Sequence, residues 1–126
     1  FLIDGTPYVY ASPPDNIFLS DSTAAGGNNL SVFATRQNSG TTSYSTFRFQ
    51  SNGTTGVFPL QHCMINLNGT NGGPGVGEQI LTPNPTVNVT AFGPPVTGFV
   101  EGNFSVQMNF GGTPKNVVCT FRVRRG

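Results

Sequence analysis

Apolar and polar side chains alternate along this chain in short runs, most regularly toward its end. Val87, Val89 and Ala91 form one set, Phe104, Val106, Met108 and Phe110 a second, and Val117, Cys119, Phe121 and Val123 a third. Each set is spaced by two, the period of a strand buried on one face. Upstream, FLIDG and PYVYA read as two strands separated by Thr6 and Pro7. IFLS, LSVFATR and YSTFRFQ follow, the last with Phe47 and Phe49 inward, and then VFPL and HCMINLN. Residues 78–81 read as a short edge strand closed off by Pro83 and Pro85. SPPDN, SDSTAAGGNN, QNSGTTS and SNGTTG supply turns and loops, with Asn52 and Gly53 as a strong hairpin signal, and the Gly-rich stretch 68–77 reads as a mobile loop. About nine or ten short strands in one domain, residues 1–126, predict an all-β fold: a single antiparallel β-sandwich or a curled, barrel-like sheet.

Composition sharpens this picture without adding chemistry. A chain of 126 residues supports one core, which eleven Phe residues dominate, while Gly, Ser, Thr and Asn fill the remainder. A formal charge of +1 gives no electrostatic reason to expect nucleic acid or an acidic membrane surface as partner. No run approaches the length of a transmembrane helix. Scarce charge with abundant Thr, Asn and Gly predicts an exported protein.

Reactive side chains are few. The single histidine, His62, precedes Cys63 and alternates to the opposite face, so the two do not form a dyad. No His or Cys pair has a metal-ligand spacing, and Asp4, Asp15 and Asp21 stand alone in their segments. Glu101, in FVEGNF, is the one carboxylate of interest and reads as a charge-pairing group at a strand bend. No catalytic residue, metal or cofactor is expected. Cys63 and Cys119 both lie on inward faces, so they form either a disulfide, if their strands are neighbours, or two buried thiols. Arg122, Arg124 and Arg125, with Lys115 in the preceding turn, make a basic patch suited to edge protection or to docking a protein partner. With no Trp in the chain, Tyr8 and Tyr10 are the best pair for glycan contact.

The closing segment is similar to that of short Bacteroidota surface lipoproteins of unknown function: a V-x-V-T-x-F strand, an aromatic-V-E-G-x-F-S core and a final F-x-V-x-R strand. Residues 87–92, 99–105 and 121–124 match in order, and FLIDGTPY resembles the opening strand of that family. The resemblance implies an exported β-sandwich held to the outer membrane through a lipidated cysteine. Neither Cys63 nor Cys119 is that residue, so any membrane contact would run through an anchor upstream of Phe1. It also implies O-glycosylation at Ser22, within Asp21, Ser22 and Thr23. The function expected is that of a non-enzymatic, cell-surface or secreted accessory or structural subunit of an outer-membrane assembly. A repeating, self-associating subunit of an extracellular fibre or sheath and a glycan-binding module are the alternatives.

Overall fold

The computed structural model describes residues 1–11, 15–22, 27–38, 41–67, 75–94 and 96–125. Parts of the expected turns and of the Gly-rich loop, at 12–14, 23–26, 39–40 and 68–74, lie outside the described residues. The strands are β1 (Leu2–Ile3), β2 (Thr6–Pro7), β3 (Asn16–Asp21), β4 (Asn29–Asn38), β5 (Thr41–Gln50), β6 (Gly56–Asn66), β7 (Val76–Ile80), β8 (Thr86–Phe92), β9 (Phe99–Phe110) and β10 (Thr113–Arg124). They form one ten-stranded antiparallel sheet in the order β2-β1-β10-β9-β7-β6-β5-β4-β3, with β8 pairing β6 and β9. Both β7 and β8 occupy the lane between β6 and β9. β8 lies against residues 56–59 and 100–103, β7 against residues 65–66 and 108–110. β6, β7, β9 and β8 therefore close a ring, and the other strands extend from it around a shared core. The all-β, barrel-like architecture read from the alternation is the one observed.

The β9 and β10 hairpin is the longest regular element. Its ladder runs unbroken from Thr113 opposite Phe110 to Arg124 opposite Phe99. Gly111 and Gly112 make the turn with φ of 60° and 91°, the left-handed pair that a tight hairpin needs. Every inward position expected on these two strands is buried. Phe47 on β5 faces them across the core, its ring centroid 5.1 Å from that of Phe104 and 5.0 Å from that of Phe121. Each such side chain contributes roughly 1.5–3 kcal/mol by burial. Gly102 admits the close approach of β8, because a Cβ there would sit 2.5 Å from the Asn88 carbonyl oxygen.

Four expectations need correction. VFPL and HCMINLN are one strand, β6, whose register against β5 shifts between Arg48 and Phe49. The extra residue leaves Gln61 and His62 both exposed before Cys63 returns to the core, a bulge that interrupts the period of two. The segment around 78–81 is not an edge, since β7 is paired on both sides, by β6 and β9, and it takes in Val76 and Gly77 from the expected loop. The N-terminal break falls at Asp4 and Gly5, both at positive φ, and Thr6 and Pro7 form β2. Beyond Pro7, PYVYA is not a strand: Tyr8 exchanges backbone hydrogen bonds with Phe1, and Tyr10 and Ala11 lie beside Ile17 and Arg122.

From β10 the lanes run through β9, the shared β7 and β8 lane, β6, β5 and β4 to β3. Each step is antiparallel, and seven lanes is an odd number, so β3 and β10 point the same way. Among the described residues, no backbone hydrogen bond joins these two strands, and the sheet closes there through side chains alone.

Candidate functional site

The seam between β3 and β10 is the most distinctive surface of the molecule. Backbone direction alternates along a strand, so one residue in two presents its N–H and C=O to each side. On β10 the Asn116 carbonyl accepts from the Asp4 amide at 2.8 Å and the Asn116 amide donates to Asp4 Oδ1 at 2.8 Å. The even-numbered residues therefore face the β1 side. β1 covers that edge only opposite Val117 and Val118, and beyond it the row continues as Thr120, Arg122 and Arg124 with no backbone partner among the described residues. On β3, the Ser22 amide donates to the Asn29 carbonyl, which turns the even residues toward β4 and leaves Ile17 and Leu19 presenting theirs to the seam.

Two arginines clasp the ends of β3. Asp15, just before the strand, is buried; Arg36 Nε donates to its Oδ1 at 2.8 Å and Arg36 Nη2 to its Oδ2 at 2.6 Å. Arg36 also donates to the Val9 carbonyl and lies over the Tyr10 ring, which fixes the segment that follows β2. The hydrogen bond from Arg36, joined by one from the Ala11 amide, holds the Asp15 carboxyl below its usual range against the opposing effect of burial. At the other end Arg125 Nη2 meets Asp21 Oδ2 at 2.7 Å, and Arg125 Nη1 donates to the Gly93 carbonyl at 2.7 Å. The Arg125 amide donates to the Gly98 carbonyl, and the guanidinium covers the Phe92 ring. Arg125 thus ties β3, β10 and the turn between β8 and β9 together.

Between the clasps a pocket of about 290 Å³ opens into the core. Its walls include Tyr10, Ile17, Val32, Phe47, Phe121 and Val123. A second, more polar pocket shares Tyr10, Ile17, Arg122 and Val123 with it and is lined further by Phe18, Phe99 and Arg124.

The expected site residues are distributed unevenly around this feature. Arg122 and Arg124 stand on its rim, both exposed. Arg122 lies 3.4 Å from Glu101 and 3.6 Å above the Phe99 ring, so Glu101 has the charge-pairing position read for it. Lys115 is seven residues from Arg122 along an extended strand, about 23 Å away, and sits 3.7 Å from Asp4. It does not join the patch. Arg125, expected in that patch, is buried against Asp21 instead and offers no docking charge. Tyr8 and Tyr10 are half-buried against the core, and the Tyr10 hydroxyl accepts from Ser45 Oγ at 3.2 Å, so they form no exposed platform. Burial raises the Tyr10 phenol above its ordinary value, partly offset by Ser45 and Arg36.

Cys63 and Cys119 are free thiols inside the core, and no disulfide links them. Burial pushes the Cys119 thiol up to about 12 and that of Cys63 further in the same direction, so both are inert hydrophobes and not nucleophiles. Ser22 is half-buried, its hydroxyl donating to the Asn29 carbonyl at 2.9 Å and accepting from the Asn29 amide at 3.1 Å. Thr23, the rest of the expected glycosylation signal, lies outside the described residues. Among the described residues no group of three or more His, Cys, Asp or Glu side chains converges.

Sequence reasoning missed both clasps. Asp15 and Asp21 bracket the apolar run of β3, and that bracketing was the available signal, but nothing local marks Arg36 or Arg125 as their partners. Compared with known proteins, the chain matches no family model, no curated protein and no solved structure.

Proposed function

We propose that this chain is a non-enzymatic interaction module, an exported β-domain serving as an accessory or structural subunit of an outer-membrane assembly. The observation that carries this reading is the seam: an apolar pocket beside two unpaired strand edges, rimmed by the exposed Arg122 and Arg124. An unpaired edge over an apolar opening is a liability in a solitary domain and a ready interface in an assembled one. The outer-membrane setting rests on the resemblance of the two chain ends to Bacteroidota surface lipoproteins. The test is photo-crosslinking in intact cells from a probe placed at Arg124. A discrete heteromeric adduct in the envelope fraction is expected, and recovery only as a free, soluble monomer sinks the reading.

The unpaired edges also favour a repeating fibre subunit as a second reading. Electron microscopy of concentrated protein separates the two, since filaments support the fibre and their absence argues against it. The half-buried positions of Tyr8 and Tyr10 lend no support to glycan binding.

A further inference from the structure

We infer that the seam accepts one extended strand from an acidic partner segment, inserted between β10 and β3 and antiparallel to both. This inference deepens the interaction role proposed above and rests on it. The hydrogen-bonding phase of the two edges carries the argument. An added strand antiparallel to β10 pairs directly with Thr120, Arg122 and Arg124, whose side chains point outward, so its own residues at those positions point outward too. Its intervening residues then point inward, and their backbone groups face the other way, toward β3. There the free groups belong to Ile17 and Leu19, whose side chains are also inward. Both edges are thereby satisfied by a single strand with no change of phase, and the odd, same-direction seam becomes an even, fully antiparallel closure.

The same geometry specifies the occupant. Its inward side chains enter the pocket lined by Ile17, Phe47 and Phe121 and must be apolar. Its outward side chains stand beside Arg124 and beside Arg122, whose exposed guanidinium already meets Glu101 on one side, and are complemented by carboxylates. The chain's five acidic residues include no two in alternation, so no strand of a second copy meets this requirement. β1 already runs antiparallel along the first part of this edge, with Leu2 opposite Val118 and Ile3 opposite Val117. The inserted strand continues that lane. Entry requires β3 to swing away from β10, which breaks no backbone hydrogen bond between them but must loosen the Asp21 and Arg125 pair that joins their ends.

The experiment measures hydrogen exchange, residue by residue, on the full chain with and without a short synthetic peptide alternating valine with glutamate. Fluorescence anisotropy of the labelled peptide gives its affinity. Expected results are slow exchange at Thr120, Arg122, Arg124, Ile17 and Leu19 only when the peptide is present, and binding about tenfold weaker for the lysine-for-glutamate peptide. Arg122→Gln/Arg124→Gln should erase that tenfold preference. Thr120→Pro, which removes one edge donor at an exposed position, should weaken both peptides while leaving the exchange pattern of the rest of the sheet intact. Protection of these amides in the free protein would show that β3 and β10 already satisfy each other and would overturn the inference. Peptide binding that protects other residues, or equal affinity for both peptides, would also overturn it. A native crosslinked partner in the face of such a result would leave the interaction role standing with a different surface.

Discussion

β10 is laddered to β9 along its whole length, from Thr113 to Arg124, and its inward side chains are buried without a break. β3 has a ladder on one side only, to β4, and its apolar residues Ile17 and Leu19 are half-buried. What the hairpin achieves with backbone hydrogen bonds, the seam achieves with one arginine and aspartate pair, Arg125 with Asp21, while Arg36 on β4 anchors Asp15 just before β3. A ladder distributes its energy over many small terms, whereas a clasp concentrates it in one side chain. The first is hard to open locally and the second is easy, so opening is expected at the seam and not in the hairpin.

Substitutions that strike the two regions separately break this contrast in order of size. Phe121→Ala, which empties the ring packed 5.0 Å from Phe47 and 5.8 Å from Phe49, should cost about 3–5 kcal/mol in urea unfolding and destabilise the whole sheet cooperatively. Asp21→Asn leaves Arg125 buried without its carboxylate and should cost about 3 kcal/mol. Its signature differs: exchange in β3 should accelerate while the centre of β9 and β10 stays protected. Cys119, on the pocket wall, should then react with a thiol reagent about tenfold faster than in the wild type, while Cys63 changes little. Uniform acceleration everywhere would show that the clasp and the hairpin open as one unit.

Gly102→Ala tests the hairpin where β8 approaches it closely. The added methyl meets the Asn88 carbonyl and the Phe121 ring, so a loss of about 1–3 kcal/mol is expected by thermal denaturation. The Asp15 clasp is tested by acid. Because Arg36 lowers the folded pKa of Asp15, its contribution is present above the ordinary carboxylate range and is lost as pH falls through the folded value, below about 4. Chemical denaturation across that window should show wild type losing about 1–2 kcal/mol that Asp15→Asn has already lost, with Arg36 partly exposed and screened. Arg122→Ala removes only an exposed pair with Glu101 and should change stability by less than about 1 kcal/mol, placing Arg122 on the binding side of the ledger.

The regularity of the hairpin explains why it was legible. Val117, Cys119, Phe121 and Val123 obey the period of two because one face meets the core and the other meets solvent throughout. At β6 the bulge at Gln61 breaks the period, so the single strand has the pattern of two. Asp4 and Gly5, both at positive φ, put the N-terminal turn ahead of Thr6 and Pro7, where the apolar runs suggest it. The alternation groups Arg125 with the basic patch because its position says nothing of Asp21, 104 residues away.

Local chemistry by itself determined the all-β class and the inward set of β9 and β10, since strand period and side-chain type act within a few residues. Tertiary structure alone decided the rest. It set β7 and β8 into one lane, made the number of lanes odd and brought β3 beside β10 in the same direction. It also paired Asp15 with Arg36 and Asp21 with Arg125. Those outcomes depend on how the whole sheet curls back on itself, a long-range packing balance that no local pattern encodes.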